Sequence, residues 1–420
     1  MIREKIVALL MAVFVACSCE ADVPQEKNIP SDIPIVLAKP FPQNETYQGL
    51  TNPTHLSQDE LNKNVIDYYN YWKAKYVRKS NGVTPGGGYY VYMKGTGGDG
   101  NEITTSEAHG YGMLIFALMA GYEKDAKAYF DGMYNMFDQH RSTVNPNCMS
   151  WIIDKTEECK YDDGSATDGD MDIAYALLLA DKQWSSEGCI NYRQLSKEMI
   201  TEGLKKSCMS LSSQRAMLGD WDKDQWSTRS SDWMVGHFRA YYAATGDTFW
   251  LDAAEKVYEL INSITSTYSS TTGLMPDFIV GETPKPAPEY FLNEFKETDE
   301  YNWNACRYPW RIAADYAHYN TPEAKQVLVQ LLDFIMIETE GEPGNINAGY
   351  YLNGEPMVDY TDGAFVGPLV LASTVDEKYQ SFLNKGWDQM KTMRANYFGD
   401  TICLLNMIMI SGNWWNPSVE

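Results

Sequence analysis

The sequence predicts an all-α fold, a closed toroid of six helical hairpins. Three observations carry this. First, apolar residues recur at helical spacing in about twelve segments between residues 57 and 411. Second, the segments alternate in character. Residues 111–121 and 401–410 hold no charged side chain, whereas 123–139, 192–210, 322–338 and 375–394 carry charged faces. Third, a helix that is apolar all round must be buried, and a one-sided helix covers it. Alternation along the chain therefore reads as inner helices each wrapped by an outer one.

The first helix is expected over 57–78. Ser57 and Glu60 form a capping box there, ahead of Leu61, Val65, Ile66, Tyr69 and Trp72. Further helices are expected over 106–120, 123–139, 168–182, 192–210, 231–244, 247–266 and 308–319. The next, over 322–338, starts on Thr321-Pro322, an N-cap followed by a proline at the first helical position. The last three cover 363–373, 375–394 and 401–411. Four long connections, 79–105, 140–165, 267–305 and 339–362, are rich in Gly, Pro, Asn and aromatics. Long ordered loops tend to carry function, and loops at one end of the inner helices would form a cleft.

Ahead of the helices, Arg3 and Lys5 precede an apolar run from Ile6 to Ala16. The run is too short to span a bilayer and reads as a secretory signal over 1–19. Phe14-Val15-Ala16-Cys17 resembles the cleavage site of bacterial lipoproteins, which makes Cys17 the expected lipidated residue and Cys19 the alternative. Residues 20–54 contain Pro24, Pro30, Pro34, Pro40, Pro42 and Pro53 and read as an extended tether. Residues 55–420 show no internal boundary and form one domain.

The net charge of −23 argues against nucleic acid or an anionic membrane surface as a partner. It is compatible with neutral sugars and favours a cationic polymer. Aromatics reach 13%, with 12 Trp and 29 Tyr; they stack on sugar rings and also fill cores. Among the cysteines beyond Cys19, Cys148 with Cys159 and Cys189 with Cys208 are the locally plausible disulfides, although sequence does not fix the pairing. There is no C-x-x-C, and His55, His109, His140, His237 and His318 lack ligand spacing, so no metal is expected.

Two stretches concentrate the chemistry. Ser106-Glu107-Ala108-His109-Gly110-Tyr111-Gly112-Met113 and Ala166-Thr167-Asp168-Gly169-Asp170-Met171-Asp172 each place an acid at the start of an apolar helix. Packing does not need an acid there, and a helix N-terminus stabilises negative charge. Carboxylates gathered at one end of a helical body can cleave glycosidic bonds by acid/base catalysis. His109, in the first turn of a buried helix, reads as structural. Asp170 reads as capping support, and Asp172 lies on a face similar to that of Asp168.

These motifs resemble glycoside hydrolase family 8. The first stretch matches the pattern S-E-G/A-x-G-Y-G-M. The second matches A-S/T-D-G-D-x-x-I-A-x-x-L-L-x-A-x-x-x-W through Ile173, Ala174, Leu177, Leu178, Ala180 and Trp184. Arg307, Pro309, Trp310 and Arg311 match R-x-P-W-R. The resemblance spans roughly 55–415 and is nearest to the bacterial chitosanase and licheninase branch. It implies an (α/α)6 barrel that inverts the anomeric carbon. Glu107 would be the general acid, Asp168 would bind and distort the sugar at the cleavage point, and Arg307 would contact the sugar beside it. Asn304, Tyr111, Trp151, Asp232 and Trp303 are the further candidate substrate contacts. Trp221, Trp226, Trp233 and Tyr301 stand evenly between stacking platform and core filler, as do Trp151 and Trp303.

One position departs from many members of the family. Asn304 stands where they carry the aspartate that acts as general base, and an amide cannot take a proton from water at neutral pH. The chitosanase and licheninase branch also has Asn there and takes its base from a preceding inserted loop. Counting back from Asn304, that acid falls on Glu294, within Phe291-Leu292-Asn293-Glu294. Glu289, Glu297, Asp299 and Glu300 share the loop, and Glu300 is the next candidate.

The expected protein is thus an exported, monomeric endo-acting hydrolase of a polysaccharide, lipid-anchored at the outer membrane or cell surface, with a periplasmic or secreted protein as the alternative. Its substrate is a β-1,4-linked or mixed-linkage β-glucan, with chitosan the close rival and xylan a further one. It needs no metal or cofactor and meets a membrane only through the lipid. Two other classes stay open: a glycan-binding surface protein without catalysis, which Asn304 favours, and a helical-toroid lyase, which the low Lys and Arg content disfavours.

Overall fold

The structure is a computed structural model that describes residues 36–80, 82–83, 87–93, 101–159 and 164–419. The expected secretory signal, including Cys17, and the first part of the tether lie outside the described residues. One compact unit runs from Leu37 to the C-terminus.

Among the described residues, twelve α-helices carry the fold: α1 (Gln58–Tyr76), α2 (Ser106–Leu118), α3 (Ala126–Gln139), α4 (Thr167–Trp184), α5 (Tyr192–Glu198), α6 (Val235–Thr245), α7 (Phe249–Thr267), α8 (Tyr308–Tyr319), α9 (Pro322–Glu338), α10 (Gly363–Ala372), α11 (Gln380–Met390) and α12 (Tyr397–Ile410). α5 continues in wider π-type turns over Met199–Cys208. The even-numbered helices form a closed ring, each packed on the next, with α12 returning to α2. The odd-numbered helices wrap it: α3 covers α2, α5 covers α4, α7 covers α6, α9 covers α8, α11 covers α10, and α1 covers α12. This is the (α/α)6 barrel that the alternation of uncharged and charged segments anticipates. α10 and α12 are buried along their whole length, and in α2 Glu107 alone is not buried. The capping box of α1 forms with both bonds. Thr321 sits at the N-cap of α9 without a side-chain capping bond, so Pro322 carries that boundary.

Among the described residues, seven short strands brace the loops, and helical periodicity does not anticipate them. β1 (Val77–Ser80) pairs with β2 (Gly88–Val91), β3 (Glu102–Thr105) with β4 (Ile152–Asp154), and β5 (Thr228–Arg229), β6 (Phe278–Val280) and β7 (Lys285–Pro286) make a small antiparallel sheet. Each has two to four residues, too few to establish an alternation in sequence. They fix the approach to the helix starts: β3 runs directly into α2, and β5 leads toward α6.

The tether expected over 20–54 is corrected from Leu37 onward, because this stretch straps the barrel. Lys39 N donates to Gln183 Oε1 at 2.8 Å, Phe41 N to Ala120 O at 2.6 Å, Glu45 N to Gly412 O at 2.7 Å and Thr51 N to Thr374 O at 2.7 Å. Phe41 is buried. Extended, proline-rich backbone has no internal hydrogen bonds, so its polar groups are free to satisfy others. Gln183, Ala120 and Gly412 lie at the C-terminal ends of α4, α2 and α12, and orphan carbonyls collect at such ends. The strap therefore closes that end of the barrel.

The locally plausible disulfides are also corrected. Cys148 faces Cys208, with Sγ atoms 3.9 Å apart and both side chains buried, whereas Cys159 is half-buried and Cys189 exposed. The fold brings the end of α5 under the 140–150 loop, a contact that sequence distance conceals.

Candidate functional site

The inner helices run parallel, so their N-termini share the end of the barrel opposite the strap. Glu107 stands in the first turn of α2. Thr105, the N-cap, accepts from Ala108 N at 3.2 Å, and Ser106 N donates to Trp151 O at 2.9 Å. Asp168 occupies the matching place on α4. Two glycines let these helix starts touch. A Cβ on Gly169 would lie 2.5 Å from the carbonyl carbon of Ser106 and 2.6 Å from Glu107 N. One on Gly110 would lie 2.6 Å from Asp172 Cβ and 3.0 Å from Gly169 O. These contacts are with backbone or an inflexible Cβ, so neither site can absorb a methyl group. Gly169→Ala should cost about 1–3 kcal/mol through overpacking and separate Glu107 from Asp168. A lowered melting temperature together with lowered turnover would bear this out; unchanged values in both would refute it.

Arg307, from the 3₁₀ turn Ala305–Arg307 ahead of α8, joins the two acids. Its Nη1 donates to Glu107 Oε2 at 2.6 Å and to Asp168 Oδ2 at 2.7 Å. Its Nη2 donates to Asn304 Oδ1 at 3.1 Å. Asn304 Nδ2 in turn donates to Glu294 Oε2 at 3.0 Å. The predicted acid, the predicted sugar-binding aspartate and the predicted base therefore meet on one guanidinium–amide path. Glu294 follows a turn in which Leu292 and Asn293 adopt positive φ, which lets the loop reach back over Asn304.

The two helix-start acids are tuned apart. Burial raises the pKa of Glu107; Arg307 opposes this and Asp168 adds to it, and the net direction is up. Burial also acts to raise Asp168, but Arg307 and then Arg229 outweigh it, and Asp168 is held below its usual value. A proton donor thus sits beside a fixed anion, the pattern that separates acid from anion in a glycosidase site.

The remaining candidates divide. Asp232 is fully buried, 3.9 Å from Arg229, and burial pushes its pKa up to about 7. Trp151 is 46% and Trp221 41% exposed, beside the Glu107 and Asp168 segments; Trp221 Nε1 donates to Ser165 O at 3.0 Å. Trp303 is half-buried against Phe365 and Phe398. Tyr111 is corrected as a sugar contact: it is wholly buried against Trp310, and its hydroxyl meets Arg307 Nη1 at 3.4 Å. Trp233 and Tyr301 are core, while Trp226 is half-buried under Arg215. Glu300 is drawn aside, accepting from Leu352 N at 2.5 Å. His109 is buried, with Nδ1 at 3.2 Å from Thr105 O, and burial lowers its pKa to about 4. Asp172 pairs with both terminal nitrogens of Arg311 at 2.9 and 2.6 Å and with His237 at 2.9 Å, a structural ion cluster rather than part of the cleft. Asp170 accepts from Met149 N at 2.8 Å. With Cys148 and Cys208 it forms a buried group whose ligand atoms lie within 4.8 Å of one another and could hold an ion. Three separate segments supply that group, so motif spacing does not reveal it.

Three contributors escape the sequence reading. Asp277 is buried and accepts from the backbone N of Asn302, Asn304 and Ala305 at 3.1, 3.1 and 2.6 Å, which fixes the turn that carries Asn304. Burial pushes its pKa up to about 7. Its only signal is a lone acid in the apolar run Leu274–Val280. Tyr397, at the start of α12, donates to Glu107 Oε1 at 2.9 Å. Arg229, a lone cation in Ser227–Trp233, lies between Asp168 and Glu294 at 3.8 and 4.0 Å.

The family model for glycosyl hydrolases family 8 matches residues 54–412. An endoglucanase of Bacillus sp. (strain KSM-330) is 44% identical over 90% of this chain and 82% of its own length. A beta-glucanase of Niallia circulans is 41% identical over 90% of this chain and 91% of its own. The apo structure of a beta-1,3-1,4-glucanase from Paenibacillus sp. X4 superposes with a TM-score of 0.86 at 40% identity, covering 91% of this chain and 100% of that one.

Proposed function

The chain belongs to glycosyl hydrolases family 8 and is an endo-acting glycoside hydrolase, and from that premise we propose that it cuts a β-1,4-linked or mixed-linkage β-glucan by single displacement with inversion. Glu107 protonates the leaving oxygen. Glu294 takes a proton from the water that attacks the opposite face. Asp168 and Arg307 hold the sugar at the cleavage point. The observation that carries this reading is the path Glu107–Arg307–Asn304–Glu294, bonded at 2.6, 3.1 and 3.0 Å. Two intervening side chains separate the carboxyls, as an inverting pair needs in order to admit water; such pairs stand about 6.5–9.5 Å apart, against about 5–5.5 Å in retaining enzymes. The glucan follows from what the similar proteins are named to act on.

Two measurements test it. Reducing-end release should be highest on lichenan or carboxymethylcellulose, within a panel that includes xylan and chitosan. Proton NMR of the first product should show the α-anomer. A β-anomer formed first would overturn the mechanism, and preference for chitosan or xylan would overturn the substrate. Binding without turnover on every polymer would favour a glycan-binding protein.

We further propose export as a monomeric lipoprotein with lipid on Cys17. Among the described residues no helix is long and apolar enough to cross a membrane. Mass spectrometry of membrane-fraction protein should find a mature terminus at acylated Cys17; an intact Met1 would defeat this.

A further inference from the structure

Among the described residues, every other buried guanidinium group than that of Arg229 makes hydrogen bonds through its terminal nitrogens. Arg307 makes hydrogen bonds of 2.6 and 2.7 Å to carboxylates, and Arg311 grips Asp172 with two nitrogens. Arg229 is the exception. It is 9% exposed, yet its nearest carboxylate oxygens stand at 3.8 Å (Asp168 Oδ1), 3.9 Å (Asp232 Oδ2) and 4.0 Å (Glu294 Oε1), all beyond hydrogen-bond reach. Its Nε, like those of Arg215 and Arg311, has no acceptor among the described residues, but Arg229 alone of the three also lacks a hydrogen bond at its terminal nitrogens, and Asp232 Oδ2 has no donor. A guanidinium carries five donors, and leaving buried ones unmade is costly.

The backbone explains why Arg229 does not collapse onto one acid. Residue 229 is paired with Phe278 across β5 and β6, and the guanidinium lies 5.2 Å from the Phe278 ring. Asp232, fully enclosed, competes with Asp168 for the same nitrogen, Nη1, and neither captures it. Nη1 of Arg229 thus stands between Asp168 and Asp232, and Nη2 is nearest Glu294. Arg229 thereby closes a ring of side chains: Asp168, Arg307, Asn304, Glu294 and back to Arg229. The gap between Nη1 and Asp168 Oδ1 suits one oxygen that makes bent hydrogen bonds of about 2.8 Å to both. That oxygen must accept from the cation and donate to the anion, as a hydroxyl does.

We propose that Arg229 is a substrate-binding residue that takes a hydroxyl of the sugar at the cleavage point, the hydroxyl accepting from Arg229 and donating to Asp168. The proposal rests on the function proposed above. It gives Arg229 direct contact with the sugar, on the side of Asp168 away from Arg307.

The test is calorimetric binding of a mixed-linkage β-glucan hexasaccharide to the full-length chain carrying Glu107→Gln, so that binding is read without turnover. In that background Arg229→Met should weaken Kd by about tenfold to a hundredfold, the range for losing a hydrogen bond to a charged group. Arg229→Lys, which keeps the charge but not the fork, should weaken it less. If Arg229→Met fails to fold, Arg229→Lys carries the test, with weaker binding expected at an unchanged melting temperature. A folded variant that binds like its parent overturns the proposal. So does a loss of kcat in otherwise wild-type Arg229→Lys with unchanged Kd, which marks a structural role. Failure of the parent to bind any β-glucan overturns the functional reading together with this one.

Discussion

Replacing Glu107 by Gln should lower turnover of unactivated β-glucan by about 10²–10⁴-fold, the usual worth of a general acid, and leave the barrel folded. The amide keeps the shape of the side chain and can still meet Arg307 and Tyr397, so the loss is of the proton alone. Glu107 is the one residue of α2 that is not buried, which leaves no neighbour on that helix to replace it. The sign of the pH dependence follows from its surroundings. The acid works while protonated, so activity falls as pH rises through its elevated pKa. Asp168 is one of the groups that raise it. In Asp168→Asn the alkaline limb of kcat/KM should therefore move to lower pH, beyond any loss of height from weaker sugar binding. A limb that stays in place would remove Asp168 from the tuning, and Glu107→Gln activity within a few-fold of wild type would remove Glu107 from the chemistry.

Glu294→Ala should be as damaging, again about 10²–10⁴-fold, with a distinctive rescue. The cavity left by the carboxylate admits azide, which attacks without needing deprotonation, so added azide should restore part of the turnover and appear in a glycosyl azide product. Glu300→Ala is the control from the same loop. Its carboxylate is spent on Leu352 N, and its loss should affect the loop more than the reaction. A dead Glu300→Ala beside an active Glu294→Ala would move the base to Glu300. Activity in both would place the base outside the loop.

The sequence reveals those parts of the fold that are local. Helix α1 is readable from its capping box, and α2 and α12 from the absence of charge over eleven and ten residues. The Glu107 and Asp168 pair is readable because each acid sits at the start of an apolar helix, where packing gives it no purpose. Glu294 is legible only through the resemblance, as the branch's loop acid counted back from Asn304, and the two side chains are hydrogen-bonded. What escapes depends on contacts between distant segments. Asp277 anchors a turn 25 to 28 residues away. Tyr397 reaches Glu107 across 290 residues. Tyr111, read as a sugar contact, shows the converse: its motif position is correct, but only the packed barrel reveals that Trp310 covers its ring. The strap is not legible, because a proline-rich stretch reads the same whether it is free or docked.

That strap also fixes the end of the barrel at which the preceding chain is fastened. The chain enters the compact unit beside Gln183, Ala120 and Gly412, at the pole of the barrel remote from Glu107. A leash pulls on the point where it is fastened. If Cys17 is acylated, the leash runs from there to Leu37 and spans at most about 70 Å when fully extended. Attachment through Cys17 would then pull at the closed pole, the end that holds no catalytic acid. A polymer would reach the catalytic acids at the pole that carries no attachment.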